Sequence, residues 1–210
     1  MNTAGIILAG GQSRRMNGPD KALMPFGAAK LIDHIVKRLA HQLPVMALNS
    51  NNNPSHFHHL DIPVIPDDIT GYAGPLAGIL AGMEWAAIQS DAFSHIMTVA
   101  TDTPFFPDDL AEKLGREIAG LPHTIAIASS AGRLHPVFGL WPISSRHELR
   151  KWLADDQNRR VMSWIEVQPY RSFEFPLTEA QTGQPLDPFF NINTQEDILE
   201  ARQRWAASTR

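Results

Sequence analysis

Apolar positions along the chain fall into short continuous runs, each broken by a glycine, proline or amide-rich tip. Ile6-Ile7-Leu8-Ala9, Val45-Met46-Ala47-Leu48, Ile62 to Ile65 and Ile96 to Ala100 each read as a buried strand. Between them the apolar residues shift to helical spacing. Leu31, Ile35, Leu39 and Leu43 stand four apart and predict a helix that Pro44 ends. Leu76, Ile79, Leu80, Met83 and Ala87 make a second apolar face, with Pro75 suited to the first helical position. Pro107-Asp108-Asp109 opens a third helix, its acids favoured by the helix dipole.

The second half continues the alternation. Thr124 to Ser129 and Tyr170 to Phe175 read as strands, and Ser144 to Leu153 and Arg159 to Ile165 as helices. Arg133 to Trp141 is a strand with Pro136 inside it, which places it at a sheet edge or at a bulge. Glu179 to Pro188 is a polar loop. Phe189 to Thr194 alternates apolar and amide residues, so Asn191 and Asn193 share one side of a predicted strand. Thr194 with Asp197 three residues on starts the last helix, which has Ile198, Ala201 and Trp205 on one face. Strands alternating with helices predict an α/β fold, and in open α/β sheets ligands sit at the carboxyl ends of the strands.

Composition narrows the function. With 210 residues the chain suits one domain with a substantial core. Its 43% apolar and 19% charged residues are ordinary for a globular protein. A formal net charge of −4 argues against a general nucleic-acid binder. No cysteine is present, which excludes disulfides and thiolate-held metal and fits a reducing compartment. No apolar run reaches membrane-spanning length, and the first residues lack the pattern of a secretory signal. A cytoplasmic location is expected.

The strand tips carry the chemistry. After Leu8-Ala9 come Gly10-Gly11, then Ser13, Arg14, Arg15, Gly18 and Lys21. Glycines let backbone N–H groups converge on an anion, and Arg15 and Lys21 bring positive charge for a polyphosphate. A glycine turn with a solvated basic face is the plain alternative. The two common phosphate-loop spacings are absent. The second strand ends at Asn49 in a run of amides, and Asp67-Asp68 follow the third. Gly74, Gly78 and Gly82 recur every four residues, which suits close packing of a helix on the sheet; Gly74 also opens the helix start to a ligand. Asp102 follows a central strand. It can hold Mg²⁺, which takes one or two carboxylates plus substrate phosphates, or it can simply form the turn. Arg159-Arg160 read equally as an anion site or a solvated face. His135 reads as structural or substrate-lining in preference to a general base. His56, His58 and His59 lack zinc-motif spacing and read as a solvated helix face.

These residues carry a resemblance. LAGGQSRRMNGPDKAL resembles the L-A-G-G-x-S-x-R-M-G-x-D-K signature of the molybdenum cofactor guanylyltransferases, the MobA family, with Asn17 giving the longer form of the loop. G-P-L-A-G at Gly74, D-T-P at Asp102, H-P-x-x-G-L-W at His135, and N-x-N-T at Asn191 are similar to the family in the same order. The resemblance implies a Rossmann-like three-layer sandwich of the nucleotide-diphospho-sugar transferase type with a mostly parallel central sheet. It implies one domain over 1–210, with a nucleotide-binding half near 1–105 and a pterin-side half near 106–210. The reaction implied is transfer of GMP from GTP to the terminal phosphate of molybdopterin or its molybdenum form, with Mg²⁺.

Roles implied by the same resemblance are these. Leu8, Ala9, Gly10 and Gly11 hold the nucleotide together with Asn49, Asp67 and Gly74. Arg15 and Lys21 neutralise phosphates, and Asp102 holds the metal. Arg159, Arg160, Asn191 and Asn193 face the pterin. Molybdenum-inserting and target apoenzymes are the implied protein partners. Gly10-Gly11, where related cytidylyltransferases carry L-A-A-G, favours GTP over CTP. A CTP- or sugar-phosphate-using transferase and a non-catalytic nucleotide- or cofactor-binding protein are the alternatives.

Overall fold

The computed structural model describes residues 2–9, 21–69, 74–155, 159–179 and 185–208. Gly10, Gly11 and Arg15 lie outside the described residues. Seven strands form the central sheet: β1 (Thr3–Leu8), β2 (Met46–Asn49), β3 (Val64–Ile65), β4 (His95–Ala100), β5 (Ile125–Ser130), β6 (Arg133–Pro142) and β7 (Tyr170–Glu174). Their order is β3-β2-β1-β4-β6-β5-β7. Strands β3, β2, β1 and β4 pair in parallel, as do β5 and β7. Strand β6 runs antiparallel to both neighbours. The expected mostly parallel α/β sandwich is thus the observed architecture.

Burial on both faces explains the unbroken apolar runs. Ala4, Ile6, Ile7, Ile96, Met97 and Val99 are inaccessible because helices cover each side of the sheet. Helices α1 (Leu31–Ala40) and α3 (Leu110–Glu117) share one core, containing Ile7, Leu39, Met97 and Leu114. Helices α2 (Pro75–Gln89), α4 (Arg146–Leu153) and α5 (Val161–Ile165) share the other, containing Ile6, Met83, Trp141 and Trp164. A third cluster seats α6 (Gln195–Ser208) on Phe26 and Leu31 through Ile198 and Ala201.

Two expectations are revised, and the choice left open for Arg133 to Trp141 is decided. Helix α1 ends at Ala40 rather than Leu43, yet Leu43 keeps its place by donating its amide to the Leu39 carbonyl at 2.8 Å. Pro44 disfavours helical geometry in the residue before it, which closes the helix early. Strand β6 is central, not an edge. It does bulge: Ile127 faces Gly139, but Ala128 faces His135, so Pro136, Val137 and Phe138 stand out between the two registers. The missing N–H of Pro136 therefore costs no ladder bond. Thr98 caps the displaced Val137 carbonyl from β4 at 2.6 Å, and the Trp141 indole donates to Thr98 at 2.8 Å. Finally, Phe189 to Thr194 forms no strand. It is an irregular segment whose Ile192 amide donates to the Asp102 carbonyl at 2.8 Å.

Helix α2 approaches the sheet closely. A Cβ on Gly78 would lie 2.3 Å from Asn49 Oδ1, and one on Gly82 would lie 2.6 Å from Ile6 Cγ1. The glycine repeat is thus a packing device, and at Gly78 it also makes room for a polar side chain at the end of β2.

Candidate active site

Strands β1, β2 and β4 end together at one side of the sheet, and a crevice of about 1470 Å³ opens there. Because β6 runs the other way, its first half rises past the end of β4 and forms the opposite wall. The crevice gathers Leu8, Ala9, Lys21, Asn49, Asp67 and Gly74 on the nucleotide side named by the sequence. It also gathers Asp102, Asn191 and Asn193. Arg159 and Arg160 are not among its described lining residues. Arg160 is the exposed residue before α5, and the Arg159 carbonyl stands 3.5 Å from where a Gly74 Cβ would be.

Asn49 is almost fully buried, so its amide needs partners. It donates to the Ile65 carbonyl at 3.2 Å and to Asp67 Oδ1 at 2.9 Å. Asn51 donates to the other Asp67 oxygen at 2.7 Å and accepts the Asp67 amide at 2.8 Å. Two amides thus fix the orientation of one carboxylate at the crevice wall. The grip of Asn51 was not foreseen from the sequence, although the amide run after β2 carries it. Gly74 has φ +67, a conformation glycine adopts at no cost, and Pro75 begins α2 directly after it.

Asp102 sits in the turn after β4. Burial raises its carboxyl pKa, and the Lys21 ammonium works against that rise. Thr103 Oγ1 donates to Asp102 Oδ1 at 3.3 Å, and the Asn191 side chain bonds the same carboxylate. Lys21 donates to the Ile192 carbonyl at 3.1 Å. A carboxylate and an ammonium therefore meet in one partly buried place, held by the main chain of residue 192. Asp197 accepts the amides of Asn193 and Thr194, each at 2.7 Å, and its own amide donates to Thr194 Oγ1 at 3.1 Å. This is the reciprocal capping box read from the sequence. It ties the amide-bearing segment to the start of α6.

The donor set suits Mg²⁺. A hard cation needs oxygen ligands, and Mg²⁺ takes few from protein when phosphates supply the rest. Among the described residues no group of three or more His, Asp or Glu could hold a metal unaided. The three histidines after β2 belong to a 3₁₀ helix, Pro54–Leu60, where His59 pairs with Asp33 at 3.0 Å. On the far wall are His135, read from the sequence as structural or substrate-lining, and Arg133, Asp187 and Phe189, to which the sequence assigned no role. Among the described residues no helix is long and apolar enough to cross a membrane.

Comparison with known proteins agrees with this arrangement. Residues 5–170 match the family model for the MobA-like NTP transferase domain. The chain is 46% identical over 198 residues to a molybdenum cofactor guanylyltransferase of Mesorhizobium japonicum, covering 94% of this chain and 93% of that one. It is 44% identical over 207 residues to the protein of the same name from Rhizobium johnstonii, covering 99% and 94%. The solved structure of molybdopterin-guanine dinucleotide biosynthesis protein A from Archaeoglobus fulgidus shares the fold, with a TM-score of 0.72 at 21% identity over 97% of this chain and 98% of that one. By its sequence, its sheet and its crevice, the chain belongs to the MobA-like nucleotidyltransferases, in the company of the molybdenum cofactor guanylyltransferases.

Proposed function

We propose that the protein transfers GMP from GTP to the terminal phosphate of molybdopterin or its molybdenum form and releases pyrophosphate. The observation that carries this reading is the meeting of Lys21 and Asp102 across Ile192 in a crevice also lined by Asn49 and Asp67. A phosphate oxygen of the acceptor attacks the α-phosphorus of GTP. The bond from that phosphorus to the β-bridging oxygen breaks, and both electrons leave with pyrophosphate. The attacking oxygen is already ionised at neutral pH, so no general base is needed. Positioning and charge neutralisation carry the step.

In this reading Leu8, Ala9, Gly10 and Gly11 bring backbone N–H groups to the nucleotide, with Gly74 at the opposite lip. Arg15 and Lys21 balance the β and γ phosphates. Asp102 would hold Mg²⁺, which when bound neutralises phosphate charge. Asp67 is an acceptor-only group, matched to the adjacent N–H donors on the edge of guanine. The pterin lies toward Asn191 and Asn193, with Arg159 and Arg160 flanking the mouth. Residues 1–105 thus serve the nucleotide and 106–210 the pterin within one domain. A cytoplasmic enzyme that meets molybdenum-inserting and target apoenzymes completes the proposal.

Pyrophosphate release from GTP, CTP, ATP and UTP, each with Mg²⁺ and with or without molybdopterin, tests it. Release with GTP and only with molybdopterin is the expected result. Release with CTP would move the protein to cytidylyl transfer. No release with any pair would end the transferase reading.

A further inference from the structure

The wall opposite the nucleotide is built around a hydrogen-bonded chain. Ser130 is fully buried at the end of β5. Its hydroxyl lies 2.8 Å from Asp187 Oδ1 and 2.7 Å from His135 Nε2. The carboxylate can only accept, so the single Ser130 proton goes to Asp187. His135 Nε2 must then carry a hydrogen and donate it to Ser130. That fixes the tautomer and leaves Nδ1 as the lone-pair atom of the ring. Burial pushes the His135 imidazole below its ordinary pKa, ahead of the opposing pull of Asp187, which favours the neutral ring.

The ring is also fixed in plane. His135 stacks on Phe189 with centroids 4.4 Å apart and an angle of 22°. Phe189 is in turn wedged edge-on by Phe138 and Phe175. Asp187 holds this arrangement from below by accepting the Phe189 amide at 2.8 Å. The bulge of β6 brings His135 opposite Ala128 in β5, on the crevice wall, where a regular ladder continued from Gly139 would put Phe138.

We propose that His135, with its tautomer set by Ser130 and Asp187, is a specificity residue that accepts a ring N–H of the acceptor substrate's reduced, nitrogen-rich bicycle. This rests on the guanylyltransferase reading. A preset acceptor distinguishes a heterocycle with an N–H at that position from a phosphomonoester of similar size that lacks one, such as a sugar phosphate. An acceptor covered by the wrong substrate and left unpaired is the source of the discrimination.

The test uses His135→Phe, which keeps a ring against Phe189 and deletes both nitrogens, and His135→Asn, which restores an acceptor near Nδ1. Pyrophosphate release at saturating GTP should show the KM for molybdopterin raised about tenfold in H135F, with the KM for GTP unchanged, and largely recovered in H135N. Equilibrium titration of molybdopterin fluorescence against the GTP-free protein should show the same loss and recovery. Ser130→Ala, which frees the tautomer, should weaken molybdopterin binding by a smaller factor, and it serves if H135F does not fold. An active parent whose H135F or S130A variant binds molybdopterin as before, or loses GTP affinity in parallel, overturns the proposal alone. A parent that releases no pyrophosphate with the GTP–molybdopterin pair overturns the guanylyltransferase reading, and this proposal with it.

Discussion

Lys21 donates to the main-chain carbonyl of Ile192 at 3.1 Å, joining two residues 171 positions apart in sequence. The same Ile192 offers its amide to the Asp102 carbonyl. The ammonium is thus placed by the backbone of a late segment. Lys21→Met should lower kcat/KM by about 100-fold or more, since it removes both the cation proposed to balance the phosphates and the anchor for residue 192. Steady-state pyrophosphate release measures the loss. A change in the KM for molybdopterin alone would show that Lys21 serves only as the anchor.

Asp102→Asn keeps the shape of the side chain and removes its charge. Turnover should fall by about 100-fold or more while GTP affinity changes by a few-fold. Chelation of divalent metal should abolish turnover in the parent and change little in the variant. Equilibrium nucleotide binding measured beside turnover separates the two effects. Loss of binding in step with loss of turnover would make Asp102 a nucleotide contact instead.

Gly78→Ala and Gly82→Ala make a matched pair on α2. The first forces a methyl against Asn49 Oδ1 and the second against Ile6. Each should cost about 1–3 kcal/mol of stability through overpacking, read from urea unfolding. Only Gly78→Ala should raise the KM for GTP, because Asn49 cannot move without releasing Asp67. Equal effects on GTP from both would mean that helix position, rather than Asn49, is what matters.

His95 opens β4 with 1% of its surface exposed, and burial pushes its pKa down to about 4. Between pH 6.5 and about 4 the unfolded chain binds a proton that the folded chain does not. Stability is therefore full above 6.5 and declines as pH falls toward 4, by about 3 kcal/mol from this residue. Among the described residues its Nε2 has no hydrogen-bond partner, so an apolar replacement is tolerated. His95→Leu should flatten that part of the stability–pH curve. Urea midpoints at pH 7 and pH 5 for both proteins check it.

Asp197→Ala removes the acceptor that holds the amides of Asn193 and Thr194. The loss should cost about 1 kcal/mol of stability, typical of a helix cap. It should also raise the KM for molybdopterin and leave that for GTP alone. Those amide bonds hold the Asp197 carboxyl below its usual pKa. Their contribution is complete above the ordinary carboxylate range and is lost as pH falls from there through the lowered pKa of the folded state.

Most strands and helices were legible because both faces of the sheet are buried, so each strand is an unbroken apolar run. The end of β1 at Leu8-Ala9, the amide end of β2 and Asp102 were legible for a second reason: strands running in parallel deliver their ends to one place. What the sequence hid depends on pairing. Pro136 marked β6 as irregular, but a bulge in a central strand looks like an edge strand in one dimension. Phe189 to Thr194 has the alternation of a strand and yet binds no neighbour in a ladder. Its amides go to Asp187, Asp102 and Asp197, and of these partners only Asp197 is named by a local pattern. The Ser130–His135–Asp187 chain spans three segments, and only the hairpin of β5 and β6 with its bulge brings them together.

The placement of Lys21 on Ile192 also bears on how the chain is made. Synthesis runs from the amino end, and domains tend to fold as they emerge. The strands that deliver Asn49, Asp67 and Asp102 are complete well before residue 192 is added. Until then the ammonium has no carbonyl to rest on, and Asp102 lacks the Ile192 amide. A nascent or prematurely terminated chain can therefore have most of the crevice wall in place and still lack the bonds that tie Lys21 and Asp102 to residue 192. The crevice is complete only when the last segment crosses back over the first.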